Sequence, residues 1–427
     1  MSVETSNPGP HLDFRGYSSG KEPVNMSVTS DQVAAIRSAA EKYYEPMIKF
    51  AQESVRTKSL SGQEQDMAKL LKDELEKLGY DEVWIDDVGN TIGKWTGSGS
   101  GKSVQFNSHI DHVHEGDPGL WSRPPYDAVI EDDVLYGRAA SDVKGGLAPQ
   151  VYLLPVLKEA GLAPVGDVYI TGVVLEEVGG FGAYHLCKTM PTDLAVLSEA
   201  SNNEIRRGHR GRNGVQVTFT GLSVHASAPS RGHNPHYALA RFLQKVETLE
   251  MKPHSTFGGS TVAPTLISTD QTSGNVTPGA LTVLLDWRSI PGESHDEVKE
   301  VVYEIAKASE IEGVTATVDV IMRPVSTYTG IAAEMPPTRG YEVDADSPIV
   351  SAAVESLGTA FEKEIPTGVW QFATDGGHLN HFGIPTIGYS PCEEHFAHTI
   401  HDQVSLAKMR DSLIGHSVLA LGLTAIK

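Results

Sequence analysis

Acidic and imidazole side chains follow four apolar, strand-like runs of the sequence, at the point where each run ends. The runs are 103–108, 167–175, 194–198 and 384–390. The side chains that follow them are His109 and Asp111, Glu176 and Glu177, Glu199, and the histidines of the loop 395–398. In open α/β sheets, ligands bind just outside the carboxyl ends of the strands. Because imidazole nitrogens and carboxylate oxygens bind divalent metals, the pattern predicts a two-metal hydrolytic site.

The His109/Asp111 pair and the turn that contains Asp142 could each supply metal ligands. His109 and Asp111 are two residues apart, so on an extended segment their side chains share a face. His109 can then bind a metal while Asp111 accepts the other ring N–H and selects the tautomer. Asp142 lies in the small-residue turn 137–146, and its two oxygens can serve two metals. Taken singly, these motifs also fit a loop histidine bonded to its neighbour and a helix N-cap aspartate.

Glu176 and Glu177 are adjacent carboxylates that would repel each other unless a cation or a proton compensates them. In a metal site, Glu177 would bind the metal. Glu176 would take the proton of the metal-bound water and pass it to the leaving nitrogen. An exposed acidic loop is the alternative. Glu199 has the same placement after the next strand, whereas the residues alone do not decide which of the histidines at 395, 398 and 401 is a ligand.

Composition excludes several classes of protein. The net charge is -21, from 34 basic and 55 acidic residues, and no dense Lys/Arg run offers a face for nucleic acid. No run approaches about 18 apolar residues, so no membrane span is expected. The 2 cysteines, Cys187 and Cys392, cannot form a disulfide framework. Reduced thiols and a cytoplasmic location are expected.

The order of elements predicts an α/β catalytic domain with a mostly parallel sheet, interrupted by a smaller α+β domain. Strand and helix alternate from 103 to 201, which implies crossover connections. From about 213 to 322 the order becomes βαββαβ, the ferredoxin-like signature. We therefore predict a flexible N-terminal arm at 1–27, catalytic segments at 28–210 and 324–427, and a lid or dimerisation domain at 211–323.

Three local expectations concern helices. The segment 31–55 is predicted to be helical with a kink or break at Pro46. Ser61 and Glu64 match a capping box for a helix through Leu78. Pro149 and Pro155 interrupt the apolar series of the helix that follows Gly146, so the pattern leaves the length of this helix open.

Nearly the whole chain from about Asp31 resembles the aminoacylase, carboxypeptidase G and succinyl-diaminopimelate desuccinylase family of two-metal hydrolases. The resemblance rests on the pairs and turns described above and on the segment Ala397-His398-Thr399, which selects His398 among its neighbours. It implies that His109 and Glu199 hold one metal, that Glu177 and His398 hold the other, and that Asp142 bridges them. It also implies that Glu176 is the general base and that Asp111 supports the metal-binding His109 from behind.

The resemblance extends into the inserted domain and implies further roles. His225 matches a histidine that reaches a neighbouring subunit's site and stabilises the developing oxyanion, which implies a homodimer or a higher homo-oligomer. Other positions match groups that contact the polar ends of a substrate; these are Asn275, Arg288, Thr374, Gly376 and Gly377. From the residues alone, strand-end polar groups satisfied within the fold are the alternative.

Three functions remain open at this point. The first is hydrolysis of an amide in a small carboxylate-bearing substrate, such as an N-acyl amino acid or a dipeptide, by a metal-bound hydroxide with two zinc, manganese or cobalt ions. The second uses the same site on a non-peptide C–N bond, such as an aryl amine, and releases ammonia. It is suggested by extra histidines near the site, namely His112, His114, His378 and His381. The third is a catalytically silent binding protein.

Overall fold

The computed structural model describes residues 28–427, so the predicted arm at 1–27 lies outside the described residues. The larger part, which we call the main unit, comprises the elements before residue 213 and after residue 323. It is built on an eight-stranded mixed sheet. In spatial order its strands are Glu82–Ile85, Thr91–Trp95, Val168–Val173, Val104–His109, Leu194–Leu197, Thr386–Gly388, Ile205–Arg206 and Thr367–Gly368.

The four central strands of this sheet are parallel to one another. Val104–His109 pairs in parallel with Val168–Val173 on one side and with Leu194–Leu197 on the other, which in turn pairs with Thr386–Gly388. These are the strands after which the acidic and imidazole residues come. Every residue of Val104–His109 is buried, as expected for a parallel strand covered on both faces. The carboxyl ends of all four strands therefore meet at one edge.

Helices cover both faces of the large sheet and pack among themselves. The helices of the main unit are Ser30–Ala40, Tyr44–Arg56, Gln65–Lys77, Gly145–Glu159, Phe181–Thr189, Pro348–Phe361, Gly376–His381 and Leu406–Thr424. The predicted break near Pro46 falls a few residues earlier, at Glu41–Tyr43. Pro46 lies in the first turn of the second helix, where an amide N–H would have no helical partner.

The predicted helix spans Gly145–Glu159 and continues through Pro149 and Pro155, so the breaks in its apolar series do not shorten it. Nearly all of its residues are buried, and it packs against the helices Leu406–Thr424 and Tyr44–Arg56. A proline in a helix interior costs about 3 kcal/mol because one hydrogen bond is lost. Burial of apolar surface on every side of this helix offsets that cost.

The capping-box prediction for Ser61 and Glu64 is wrong. The helix Gln65–Lys77 begins after Glu64, and Glu64 makes no side-chain cap bond. The Ser61 hydroxyl instead donates to Asp111 Oδ2 at 2.7 Å. Both side chains are engaged by tertiary partners that a local sequence pattern does not contain.

The inserted unit, between 213 and 320, is a four-stranded antiparallel sheet with two helices. In spatial order its strands are Thr261–Thr269, Ala280–Arg288, Asn213–Thr220 and Thr315–Val320. Its helices, His236–Glu247 and His295–Lys307, complete the predicted βαββαβ order. The fold class is thus confirmed, whereas the domain boundaries stay predictions.

Short elements connect the two units and close the rim of the main unit. They are the ribbons Pro253–His254 with Gly258–Gly259, Arg323–Ser326 with Ala332–Met335, and Gly208–His209 with Tyr341–Glu342, and the three-stranded sheet of Val129–Glu131, Val134–Tyr136 and Gln403–Ser405. Single turns of helix occur at Pro118–Leu120, Ala140–Lys144, Pro229–Arg231 and Glu394–Phe396. Within residues 28–427, no helix combines the length and the apolar character needed to cross a membrane.

The inserted unit has its own core, and this core permits a test of the domain boundaries. Phe219 is fully buried there and packs on Phe242 with ring centroids 5.7 Å apart. Phe219→Ala is expected to lower the stability of the inserted unit by about 3–5 kcal/mol, because it removes a buried aromatic ring and leaves a cavity. Differential scanning calorimetry should show one transition shifting while the main unit's transition stays. Thr220→Ala, at the exposed end of the same strand, is the control, and equal shifts of every transition would contradict the predicted boundaries.

Candidate metal centre

The predicted ligands converge at the carboxyl edge of the four parallel strands. His109 is the last residue of its strand, and Glu199 lies two residues beyond Leu197. Glu176 and Glu177 follow Val168–Val173 through Leu175, which has a left-handed backbone with φ 62. The other two ligands come from turns; they are Asp142 in Ala140–Lys144 and His398 after Glu394–Phe396.

Asp142 lies between the two imidazoles. Its Oδ1 is 3.1 Å from His109 Nε2, and its Oδ2 is 2.9 Å from His398 Nε2. Each carboxylate oxygen thus faces a different histidine. A carboxylate that bridges two cations has this arrangement, with one oxygen facing each cation.

Each imidazole also has a second carboxylate nearby. Glu199 Oε1 lies 3.9 Å from His109 Nε2, and Glu177 Oε2 lies 3.1 Å from His398 Nε2. Ligand atoms of His109, Asp142 and Glu177 all lie within 4.8 Å of one another. The structure therefore brings all five predicted ligands together. Ligand atoms of Glu176, His109 and Glu199 also lie within 4.8 Å of one another, so distance alone does not separate the predicted role of Glu176 as a base from that of a ligand.

The contact that orients His109 differs from the prediction. His109 Nδ1 donates to the backbone oxygen of Asp111 at 2.9 Å, whereas the Asp111 carboxylate is 3.6 Å away. That carboxylate accepts the backbone N–H groups of Glu176 at 3.1 Å and of Glu177 at 3.3 Å. Asp111 thus orients the imidazole through its main chain and the glutamate pair through its side chain. Nε2 of His109 is left free to face the other ligands.

The site carries more carboxylates than its imidazoles can neutralise. Burial, reinforced by the Glu199 carboxylate, raises the pKa of Glu176 well above its usual range. Burial raises the pKa of Glu199 to about 8, although His109 opposes the shift. Hydrogen bonds to Asp142 and Glu177 raise the pKa of His398 to about 10. Buried negative charge requires a compensating proton or cation, so this set of oxygen and nitrogen donors fits divalent metal ions.

A cavity of about 610 Å³ lies over this cluster and is lined by both units. Asp286 projects into it from the inserted unit, 2.7 Å from Arg288 Nε and 3.3 Å from Arg212 Nε. Arg323 also lines the cavity. Within residues 28–427, no carboxylate oxygen lies within 4.0 Å of the Arg323 guanidinium, which leaves it available to an anionic ligand.

Arg323 was missed as a site residue by sequence reasoning. It follows the last strand of the inserted unit, where the chain returns to the main unit, and no local motif distinguishes it. Burial and the neighbouring Arg212 guanidinium lower its pKa, while Glu176 opposes this shift. Only the packing of the two units places this guanidinium beside the acidic cluster.

Six predicted catalytic or substrate-binding residues do not line the cavity of their own chain, and Asp111, described above, is one of them. Arg288 does line it. His225 and Asn275 belong to one loop cluster, where Ala226 N donates to Asn275 O at 2.8 Å. Thr374, Gly376 and Gly377 are buried behind the cavity wall, and it is formed instead by Phe372 and Ala373.

The extra histidines do not line the cavity either. His112 is buried, accepts the Ser59 N–H at Nε2 and donates from Nδ1 to Val113 O. His378 is buried with its Nε2 donating to Gly179 O. His114 and His381 are both exposed. The unusual pocket that these histidines suggested is therefore not formed by them.

The comparisons with known proteins agree with this geometry. Residues 105–421 match the family described as peptidase family M20/M25/M40, so the chain belongs to this family. The predicted resemblance to two-metal hydrolases is thereby confirmed. Family membership together with the ligand cluster identifies the chain as a metal-dependent hydrolase of C–N bonds.

Individual relatives are more distant. The chain is 29% identical over 374 residues to the uncharacterized protein YgeY of Escherichia coli (strain K12), covering 85% of this chain and 91% of that protein. It is 27% identical over 374 residues to the N-formyl-4-amino-5-aminomethyl-2-methylpyrimidine deformylase of Bacillus subtilis (strain 168), covering 78% and 84%. The Bacillus subtilis YXEP protein, described as a dinuclear metal binding peptidase from the M20 family, superposes with a TM-score of 0.70 at 14% identity, covering 91% and 100%. This likeness supports the fold.

Two buried neutral histidines predict how stability depends on pH. Burial lowers the pKa of His112 to about 3 and of His209, which accepts the Thr374 N–H at Nε2, to about 4. As the pH falls below about 6.5, the unfolded chain binds protons that these imidazoles do not bind in the folded protein. The free energy of unfolding should therefore fall, by up to about 1.4 kcal/mol per pH unit for each histidine, until the folded pKa is reached.

Urea denaturation between pH 4 and 7 measures this slope. His209→Gln should flatten it by about the contribution of one histidine, whereas His114→Gln, at an exposed position, should leave it unchanged. Equal slopes in the wild type and in His209→Gln would contradict the assignment of a neutral buried imidazole.

Proposed function

We propose that this chain hydrolyses the amide C–N bond of a small carboxylate-bearing substrate, such as an N-acyl amino acid or a dipeptide. The observation that carries the proposal is the position of Asp142 between His109 and His398 in the lining of a cavity. The same cavity exposes the Arg323 guanidinium, which has no carboxylate partner among residues 28–427. A cation-binding cluster and an anion-binding group in one cavity suit a substrate with an amide and a nearby carboxylate.

Two divalent metals would be held by residues of the main unit. His109 and Glu199 would hold one, Glu177 and His398 the other, and Asp142 would bridge them. The set contains imidazole and carboxylate but no thiolate, which suits zinc, manganese or cobalt. When bound, such metals polarise a carbonyl oxygen and lower the pKa of water. The dinuclear description of the YXEP relative supports the count of two.

Glu176 would act as the general base and then as the acid. Its carboxylate lines the cavity beside Glu199, and its own N–H is bound by Asp111. Because burial raises its pKa, the carboxylate has a strong tendency to take up a proton once it has been ionised. It can therefore accept the proton of the attacking water and deliver it to the leaving nitrogen.

The substrate carboxylate would bind at the wall formed by the two units. Arg323 has no carboxylate partner in the part of the chain that the structure describes, whereas Arg288 and Arg212 share Asp286. A guanidinium binds a carboxylate through two parallel hydrogen bonds. Arg323 and Arg288 together would therefore select an anionic end of the substrate.

His225 and Asn275 would act in a second copy of the chain. They are neighbours on an exposed loop of the inserted unit and do not line the cavity of their own chain. A homodimer would let this loop reach the partner's cavity, where His225 would stabilise the oxyanion. A cytoplasmic location is proposed from cysteine usage, since Cys187 and Cys392 are both free and buried.

Release of ammonia from an aryl amine is the weaker alternative. It was suggested by the extra histidines, and none of these lines the cavity. The deformylase relative from Bacillus subtilis, by its name, removes a formyl group from an aminopyrimidine. This reaction is also cleavage of an amide. Amide hydrolysis therefore accounts for more of the observations.

The experiment that tests the function is a product analysis. Enzyme loaded with manganese or zinc is given N-acyl amino acids, dipeptides, N-formyl amines and aminobenzoates, with a chelator as control. Paired release of a carboxylic acid and an amine is expected. Ammonia release without amide cleavage would overturn the proposal in favour of the aminohydrolase.

Replacement of the proposed base separates chemistry from metal binding. Glu176→Gln is expected to lower kcat by about 10²- to 10⁴-fold, because general acid–base catalysis contributes that much. Its metal content, measured by mass spectrometry of the elements, should match the wild type. Glu394→Gln, an exposed glutamate at the rim of the same cavity, is the control. Undiminished turnover by Glu176→Gln would remove it from the role of base.

Replacement of Arg323 tests the carboxylate site. Arg323→Gln is expected to raise KM for an N-acyl amino acid by about 10- to 100-fold, which corresponds to the loss of one charged hydrogen-bonded contact. The same variant should change KM little for the corresponding N-acyl amino amide, which has no carboxylate. Arg231→Gln, on an exposed turn of the inserted unit, is the control. Equal effects on the acid and the amide would exclude a contact with the carboxylate.

A further inference from the structure

The loop Ser59–Glu64 contributes nothing to the cavity lining, yet it is fastened to the strand end that carries His109. The Ser59 hydroxyl donates to Ile110 O at 2.6 Å, and Ser59 N donates to His112 Nε2 at 3.0 Å. His112 N in turn donates to Ser59 O at 3.0 Å. These bonds hold the loop in a defined place behind the site. Two side chains of this loop, Ser61 and Glu64, then point towards the residues that carry the site.

The segment Leu175–Glu177, which we call the catalytic turn, is held by carboxylates at three consecutive amides. Leu175 N donates to Glu64 Oε1 at 3.3 Å. Glu176 N and Glu177 N donate to the two oxygens of Asp111. The left-handed backbone of Leu175 is unfavourable by about 1–2 kcal/mol in a residue with a side chain. Hydrogen bonds from outside the turn therefore have to maintain this conformation.

Glu64 is in an unusual environment for a residue at the start of a helix. It is fully buried, and within residues 28–427 its Oε2 has no hydrogen-bond partner. Its Oε1 accepts the N–H groups of both Gly62 and Leu175. A glutamate that served only the helix terminus would lie at the surface, as Asp66 does two residues later. The buried Glu64 carboxylate instead accepts a hydrogen bond from the catalytic turn.

We propose that Glu64 is a positioning residue, which holds the Leu175 N–H so that the Glu176 and Glu177 carboxylates point into the cavity. The inference rests on the proposed roles of these two glutamates. Ser61 supports the same arrangement from the other side, because its hydroxyl binds Asp111 Oδ2. The residues that resembled a capping box thus act on the catalytic turn and not on their own helix.

The test uses the full chain and two readouts. The first is amide hydrogen exchange of the metal-free protein, followed in the peptide that spans the catalytic turn. Glu64→Ala should accelerate exchange there by about 10-fold or more. Glu64→Gln keeps an acceptor oxygen and should exchange like the wild type. Asp66→Ala, at the exposed start of the same helix, is the matched control.

The second readout is steady-state kinetics per metal-loaded chain. Glu64→Ala should lower kcat by about 10- to 100-fold, the usual effect of losing a group that orients active residues. KM should change little, and Glu64→Gln should restore most of kcat. If Glu64→Ala does not fold, Glu64→Met fills the same volume without an acceptor and takes its place.

The outcomes separate this inference from the proposed function. Unchanged exchange in the catalytic turn of the acceptor-free variant would overturn the inference, as would an unchanged kcat per loaded chain. A Glu64→Gln variant as impaired as Glu64→Ala would also overturn it, because the acceptor alone would then not suffice. If the proposed function fails instead, the wild type cleaves no amide while the difference in hydrogen exchange persists.

Discussion

The structure around the site depends on one electrostatic constraint, the concentration of carboxylates at the carboxyl edge of four parallel strands. Asp142, Glu176, Glu177 and Glu199 meet there with only two imidazoles to balance them. Burial raises the pKa values of Glu176 and Glu199, and hydrogen bonds to Asp142 and Glu177 raise the pKa of His398. Such a cluster is costly in a folded protein unless it binds something positive. Divalent metals resolve the constraint, which is why the cluster accords with membership of a metallopeptidase family.

A second level of organisation keeps these carboxylates in place. Backbone groups and side chains outside the cavity do most of this work, since His109 is oriented by the main chain of Asp111 and the catalytic turn by the Asp111 carboxylate. The loop Ser59–Glu64 adds a further layer behind Asp111. Active groups in such a site are only as well placed as the residues that support them.

The inserted unit supplies part of the cavity wall, which under the proposed function contacts the substrate. The proposed metal ligands all come from the main unit. Arg288 and Asp286 come from the inserted unit, and Arg323 from the strand where the chain leaves it. The relatives include a protein described as a dinuclear metal binding peptidase and a deformylase, and one fold commonly hosts several functions. Under the proposed function, specificity would depend on how the two units pack.

Much of the fold and the cluster could be predicted from the sequence because their signals are local. Strand periodicity, followed by His109, Glu176, Glu177 and Glu199, indicates residues at one sheet edge once the strands are taken as parallel. The βαββαβ order likewise identifies the inserted unit. His398 was different, because three histidines share its loop and the family resemblance was needed to select it.

Tertiary structure decided the rest, for physical reasons that act across the chain. Ser61 and Glu64 have the pattern of a capping box, but their side chains hydrogen-bond Asp111 and Leu175 instead of the helix terminus. Pro149 and Pro155 interrupt the apolar series of a helix, yet burial of nearly all its residues preserves the helix around them. Arg323 carries no local signal, since its importance comes from the absence of an ion-pair partner among the described residues. The sequence by itself thus determined the fold class and which acidic and imidazole groups gather at one sheet edge, whereas packing between distant segments determined how these groups are held and which residues surround them.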